Sequence, residues 1–347
     1  MAAYGIGMIS GGLDSTLATR LLQEQGVRIK AINFYTGFCI TETQRRLGGR
    51  QRDGKVPRNE ALRMGGDLGV EVELVDLSES GYLDIVANPR YGYGKNANPC
   101  IDCRIFMMAR AREILEREGA DFVYTGEVLG QRPKSQRRDA LGLIEKQSGL
   151  AGRLLRPLSA KLLPPTIPEI EGKLDREKLL AISGRSRKAQ MELAERLGVV
   201  DYPQPAGGCC FLTDESFGRK FHDLLDHREL RKIEKDEIVL LATGRHFRLA
   251  PKVKLVVGRT EGENVILERY ADETRWRLET PDQLGPLALV EGEPDYEQRL
   301  LASRIVARYG QGREQAEVVV AWRRGEDEDQ LAVAPLAEEQ TLDELRV

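Results

Sequence analysis

Ser10-Gly11-Gly12-Leu13-Asp14-Ser15 sets two hydroxyls, two glycines and a carboxylate in six consecutive residues. Adjacent glycines let a backbone approach a bulky anion because no Cβ intervenes. A helix that starts there aims unpaired N–H groups and partial positive charge at the same anion. The pattern predicts an oxyanion turn for a nucleotide phosphate, and its alternative reading is an ordinary βα turn. Two rival phosphate motifs fail. Ser10 stands where GxGxxG needs its last glycine, and residues 49–55 match GxxxxGK but are followed by Val56 rather than Ser or Thr.

The cysteines are the second reactive set. Cys100 and Cys103 form a CxxC pair at the start of a helix pattern, where the helix dipole is expected to favour thiolate. Cys209 and Cys210 follow on a loop shaped by proline and glycine, and one of them would add a third thiolate. Three thiolates suit a 4Fe-4S cluster with one open iron. A redox dithiol, a structural zinc site and a bystander pair are the alternatives. The histidines, His222, His227 and His246, form no paired-ligand motif for zinc. Cys39 reads as a packed thiol.

These residues need a scaffold to position them. Residues 5–9 read as a buried strand, and Leu17, Ala18, Leu21 and Leu22 mark the following helix. Strands are expected at 29–34, 70–77 and 122–125, with helices around 61–68 and 105–118. That alternation predicts an α/β fold with a doubly wound parallel sheet. Ligands in such sheets sit beyond the carboxyl ends of strands, which brings Asn33 and Phe34 towards the nucleotide. Residues 41–55 form a long basic loop, and four prolines in 154–168 argue against regular structure there. Residues 182–188 lead into a helix with Met191, Ala194 and Leu197 on one face. From about residue 230 a separate C-terminal α+β module is expected. Its strands are placed at 238–242, 253–257, 264–268, 275–278 and 316–320, with a helix at 297–307.

The expected domains are residues 1–228, 229–325 and an acidic, loose tail at 326–347. The tail carries eight acids against Arg346, a charge of -7, so the net charge of -3 leaves +4 on the rest. A mildly basic body is compatible with RNA binding. No run of about 18 apolar residues and no signal-peptide pattern is present, so no membrane span or secretion is expected. Five cysteines in a chain expected to be cytoplasmic point to metal binding or catalysis rather than disulfides.

SGGLDS resembles the pyrophosphate loop of the PP-loop ATP-pyrophosphatase superfamily. Thr125-Gly126-Glu127-Val128-Leu129-Gly130-Gln131 is similar to the second signature of the tRNA 4-thiouridine synthases, and the CxxC lies between the two motifs. Residues 205–214 are similar to a motif of short relatives. Residues 236–270, with Gly244-Arg245-His246-Phe247 and Val257-Gly258-Arg259, resemble the RNA-binding module of NFACT-type proteins.

The resemblance implies a PP-loop, HUP-like fold and ATP-dependent tRNA thiolation. ATP and Mg²⁺ would be held by Ser10, Gly11, Gly12, Leu13, Asp14, Ser15, Asn33, Phe34, Gly126 and Gln131, with Glu127 shaping the pocket. Asp14, Cys100 and Cys103 would be catalytic. A 4Fe-4S cluster would sit on Cys100, Cys103 and either Cys209 or Cys210. A uracil carbonyl oxygen would be adenylated and replaced by sulfur from sulfide or a carrier. No THUMP-type or rhodanese domain is expected, so RNA contact falls to residues 230–320 and the basic loops, and a homodimer would help a short chain span a tRNA. An amide or amidine ligase of the same superfamily, a non-enzymatic RNA-binding factor and a thiolase of the uridine 2-carbonyl are the competing readings.

Overall fold

Strand β1 (Tyr4–Met8) lies in the middle of a parallel sheet, in a computed structural model that describes residues 2–40, 58–78, 81–203 and 210–347. It pairs with β2 (Arg28–Tyr35) on one side and β4 (Phe122–Thr125) on the other. Outside these lie β3 (Val72–Asp76) and the two-residue β5 (Leu154–Leu155), giving the order β3-β2-β1-β4-β5 among the described residues. The helices of this unit are α1 (Leu13–Gln23), α2 (Glu60–Leu68), α3 (Tyr82–Ala87) and α4 (Cys100–Glu118). Further along come α5 (Arg138–Gln147), α6 (Ile167–Ile170) and α7 (Lys188–Arg196).

Side-chain alternation assigns the helices to faces. Phe122 and Tyr124 pack with Leu17, Leu21 and Leu193 of α1 and α7. Val123, Ile6 and Ile32 pack with Met108, Ala111 and Leu115 of α4. Both faces are covered, which is why these strands read as continuous apolar runs. Each fully buried large side chain stabilises this arrangement by about 1.5–3 kcal/mol. Strand order reverses between β1 and β4, and the crevice beyond their carboxyl ends is where such sheets bind ligands. The expected α/β class and the parallel sheet are observed.

The compact units run Met1–Thr213 and Asp214–Val347, so the division comes before the expected boundary at 228. In the second unit α8 (Glu215–Asp226) and α9 (Lys235–Ala242) precede β6 (Arg245–Ala250) and β7 (Val253–Val257). Then follow α10 (Glu261–Glu268), β8 (Arg275–Glu279), β9 (Ala288–Glu291) and α11 (Tyr296–Tyr309). The last elements are β10 (Val318–Arg324), β11 (Asp327–Val333) and α12 (Glu339–Leu345). The strands form an antiparallel sheet in the order β11-β10-β8-β9-β7-β6.

Several expectations for this unit are corrected. Residues 238–242 and 264–268 are helical, not extended. Glu234 and Glu237 form a reciprocal capping box for α9, and the Thr260 hydroxyl accepts from the amide of Glu263 to start α10. Those caps outweigh the β-branched content that suggested strands. The acidic stretch is not loose. β11 pairs with β10, while Val333, Leu336 and Leu342 are buried in the core. Arg299 and Arg304 pair with Asp329 and Glu338, so the acids are docked. In the first unit, Met191 is 57% exposed, and α7 instead buries Gln190, Leu193 and Ala194. No helix among the described residues is long and apolar enough to cross a membrane.

Candidate nucleotide and thiol site

The Ser10–Ser15 turn joins β1 to α1 at the reversal of strand order. Gly11 has φ +74°, and a Cβ there would stand 2.2 Å from the backbone carbon of Glu60. Only glycine fits, so the turn can press against the start of α2. Gly12 is the N-cap of α1 and supplies no side-chain cap, leaving first-turn amides for an incoming anion. Ser15 Oγ and Thr16 Oγ1 both donate to the Gly12 carbonyl, at 2.9 and 3.1 Å. These bonds hold the turn, and the Ser15 hydroxyl proton is already engaged within it.

Asp14 lies in this turn. Its Oδ2 accepts from Gln131 Nε2 at 3.0 Å, and an Arg187 guanidinium nitrogen lies 3.5 Å away. Its Oδ1 is buried with no hydrogen-bond partner. A buried lone carboxylate oxygen is costly unless something charged meets it, so the donor set fits a hard cation such as Mg²⁺. Arg187 was not singled out from sequence, although the run Ser183-Gly184-Arg185-Ser186-Arg187-Lys188 has the small and basic character of a phosphate loop. Asn33 Nδ2 donates to the Ile9 carbonyl at 2.7 Å, tying the end of β2 to the entrance of the turn. Phe34 is half-buried and packs against the core beneath α4.

The 125–131 loop closes the crevice from β4. A Cβ on Gly126 would lie 2.4 Å from the Ser15 nitrogen, so this glycine rests directly on the anion turn. The next residue, Glu127, is buried and points elsewhere. Its carboxylate accepts from Arg156 Nε at 3.2 Å and lies 3.6 Å from Arg104 Nε. Arg156 is itself buried and also meets Glu145. Glu127 is therefore engaged in a buried ion network, in place of the pocket-lining role expected for it. Arg104 directly follows Cys103, so one loop touches the anion turn with Gly126 and the CxxC helix with Glu127.

Cys100 begins α4, after Pro99. Asp102 is buried in the first turn, and its two oxygens accept from the amides of Arg90 and Tyr91, each at 3.0 Å. That fixes the 90–94 segment over the helix start. The Tyr82 hydroxyl donates to Cys103 Sγ at 3.1 Å. Burial pushes the Cys103 thiol up, while the Tyr82 hydrogen bond and the nearby Arg104 and Arg132 oppose the rise. Burial at Cys103 thus works against the thiolate that a helix start would favour. Burial also holds the Tyr82 phenol well above its ordinary value, with Cys103 and Cys210 adding to the shift. Cys210 forms a backbone β-bridge with Cys39, which brings Cys39 to the same region. Neither Tyr82 nor Cys39 carried a sequence signal for this role.

Among the described residues no three Cys, His, Asp or Glu side chains are grouped to hold a metal ion. The expected trio was Cys100, Cys103 and one of Cys209 or Cys210. Cys209 and the basic loop 41–55 lie outside the described residues.

Comparison with known proteins follows these two units. Residues 2–161 match the family model described as thiamine biosynthesis protein (ThiI), and residues 244–346 match the NFACT protein RNA binding domain. The chain is 35% identical over 124 residues to a tRNA-specific 2-thiouridylase MnmA of Syntrophotalea carbinolica, covering 34% of this chain and 32% of the relative. It is 25% identical over 215 residues to the MnmA 1 of Syntrophus aciditrophicus, covering 60% and 52%. The chain therefore spans only a third to about half of the length of these curated relatives. Among solved structures, U34-tRNA thiolase NcsA from Methanococcus maripaludis with its [4Fe-4S] cluster is 17% identical, with a TM-score of 0.32, 70% of this chain and 73% of that one being covered.

Proposed function

We propose that this chain, whose residues 2–161 carry a ThiI-family domain and whose residues 244–346 carry an NFACT RNA-binding domain, is an ATP-dependent tRNA sulfurtransferase. The observation behind this reading is the 125–131 loop, which backs the anion turn with Gly126 and meets Arg104 beside Cys103 through Glu127. Nucleotide chemistry and thiol chemistry then share one crevice.

In this reading the α1 amides and the Gly11–Gly12 backbone bind the departing pyrophosphate of ATP, and Arg187 adds charge. Asp14 Oδ1 would hold Mg²⁺, which would supply positive charge for the phosphates. The uracil carbonyl oxygen attacks the α phosphate, and pyrophosphate leaves. A persulfide on Cys100 or Cys103, charged when its thiolate takes the sulfane sulfur of a separate persulfide donor and the donor's thiolate leaves, attacks the activated carbon through its terminal sulfur and AMP leaves. The neighbouring cysteine then attacks the inner sulfur, freeing the thiolated base and leaving a Cys100–Cys103 disulfide. A dithiol reductant restores the pair. A cytoplasmic setting keeps that reductant at hand, and a homodimer extends the reach over a tRNA. An iron–sulfur cluster would instead be held by Cys100, Cys103 and either Cys209 or Cys210.

The test is nucleoside mass spectrometry after incubation with tRNA, ATP, Mg²⁺, a persulfide sulfur donor and a dithiol reductant, with a parallel reaction on sulfide alone. Thiouridine and AMP should appear in equal amounts. Thiouridine should be lost in Cys100→Ser and in Cys103→Ser. AMP formation without cysteine dependence would favour an amide or amidine ligase. RNA binding with no ATP turnover would favour a binding factor. Iron and sulfide analysis of anaerobically purified protein decides between cluster and persulfide.

A further inference from the structure

We infer that the open groove beside the CxxC helix start seats the ribose-phosphate chain of the RNA substrate, next to the nucleotide whose base is modified. This deepens the thiolation reading and rests on it. The groove encloses about 790 Å³ between the 93–95 segment, the first turn of α4 and the start of α5. Tyr93, Lys95, Ile101, Lys134, Arg137 and Leu143 line it.

Its charge is one-sided. Lys95, Lys134 and Arg137 face a single acid, Asp139, which the Arg137 guanidinium already holds at 2.8 and 3.1 Å. Lys134 donates to the carbonyls of Tyr91, Gly92 and Tyr93, so it builds the groove wall while its positive charge meets no carboxylate among the described residues. Lys95 is exposed and makes no ion pair among them either. The floor is apolar, with Ile101, Ala140 and Leu143. A basic rim over an apolar floor suits a nucleotide chain: phosphates meet the cations, and ribose or base covers the aliphatic side chains.

Location selects the occupant. Ile101 lies inside the CxxC, and a Cβ on Gly94 would come within 2.8 Å of Cys100 Sγ. The wall of the groove thus touches a reactive thiol. A polymer that delivers a base to that thiol must run its backbone along this wall. Free ATP has its own seat at the Ser10–Ser15 turn and needs no second one.

The experiment uses the full chain, a fluorescently labelled tRNA transcript and a salt series. Lys95→Glu and Arg137→Glu are chosen because neither residue belongs to the proposed catalytic set. Each should weaken binding about 3–10-fold and lower the slope of log affinity against log salt by about one. kcat at saturating tRNA should stay near wild type while KM rises. Unchanged affinity and salt slope in both variants would overturn the groove assignment. Wild-type binding without thiouridine or AMP would overturn the thiolation reading instead, while loss of binding in the variants would still mark the groove as an RNA seat.

Discussion

Helices α1 and α4 both begin without a side-chain cap, after Gly12 in one case and Pro99 in the other. At α1 the glycine turn keeps side chains away, so the terminal amides remain available to an anion. At α4 the first turn is filled. Asp102 takes the amides of Arg90 and Tyr91, and Cys103 sits half-buried against the Tyr82 hydroxyl. A helix terminus supplies about 0.3–1 kcal/mol, which is under one pKa unit, whereas burial shifts a group by up to several units. The same backbone feature is therefore left open at one end of the crevice and opposed by burial at the other. Burial decides which outcome a helix start delivers.

The sharpest way to break that contrast is at the anion side. Asp14→Ala removes the buried oxygen and its link to Gln131, and AMP formation should fall by about 10³-fold or more. The fold should persist by circular dichroism, and a variant that still makes AMP at the wild-type rate would remove Asp14 from the phosphate site. Gly126→Ala pushes a methyl group onto the Ser15 amide and should cost about 10²-fold in AMP formation, read as a rise in KM for ATP with lower kcat.

Glu127→Gln tests the link between the two sides. It leaves the buried Arg156 guanidinium with Glu145 as its remaining carboxylate and should destabilise the unit by up to about 3–5 kcal/mol, measured by urea unfolding. Unchanged stability would mean that Arg104 and Arg156 are held by other groups.

The smallest effect belongs to the thiol side. Iodoacetamide labelling of Cys103 against pH should show a midpoint above the usual free-thiol value of about 8.5. Tyr82→Phe removes a hydrogen bond that lowers this value, so the midpoint should move up further. Because the folded thiol holds its proton more tightly than the unfolded one, its contribution to stability is full below the unfolded pKa. That contribution is lost as pH rises through the folded one. A midpoint below the free-thiol value would restore the dipole argument.

Much of this was legible in the sequence because local chemistry and tertiary context agree. SGGLDS needs its glycines for the close approach at Glu60, and TGEVLGQ follows β4 at the strand reversal. The parallel strands show as apolar runs because both faces are covered. What escaped was set at a distance. Tyr82 meets Cys103, Arg187 approaches Asp14 and Glu127 meets Arg156 through contacts that no spacing encodes. In the second unit, short helices at Lys235–Ala242 and Glu261–Glu268 were masked by apolar runs, although their capping residues were in plain view. His246, inside the RNA-module resemblance, is buried with its Nε2 on the Leu240 and Thr243 carbonyls. Burial there lowers its pKa well below the usual imidazole value, so it serves as a neutral core residue.

The bridge between Cys39 and Cys210 joins positions that are 171 residues apart along the chain. Such a pairing closes a long loop, a non-local contact of the kind that slows folding. On the ribosome, the phosphate turn has emerged long before its last sulfur-bearing neighbour does. The bridge can therefore close only once residue 210 has left the ribosome, long after both of its neighbours in the CxxC have been synthesised.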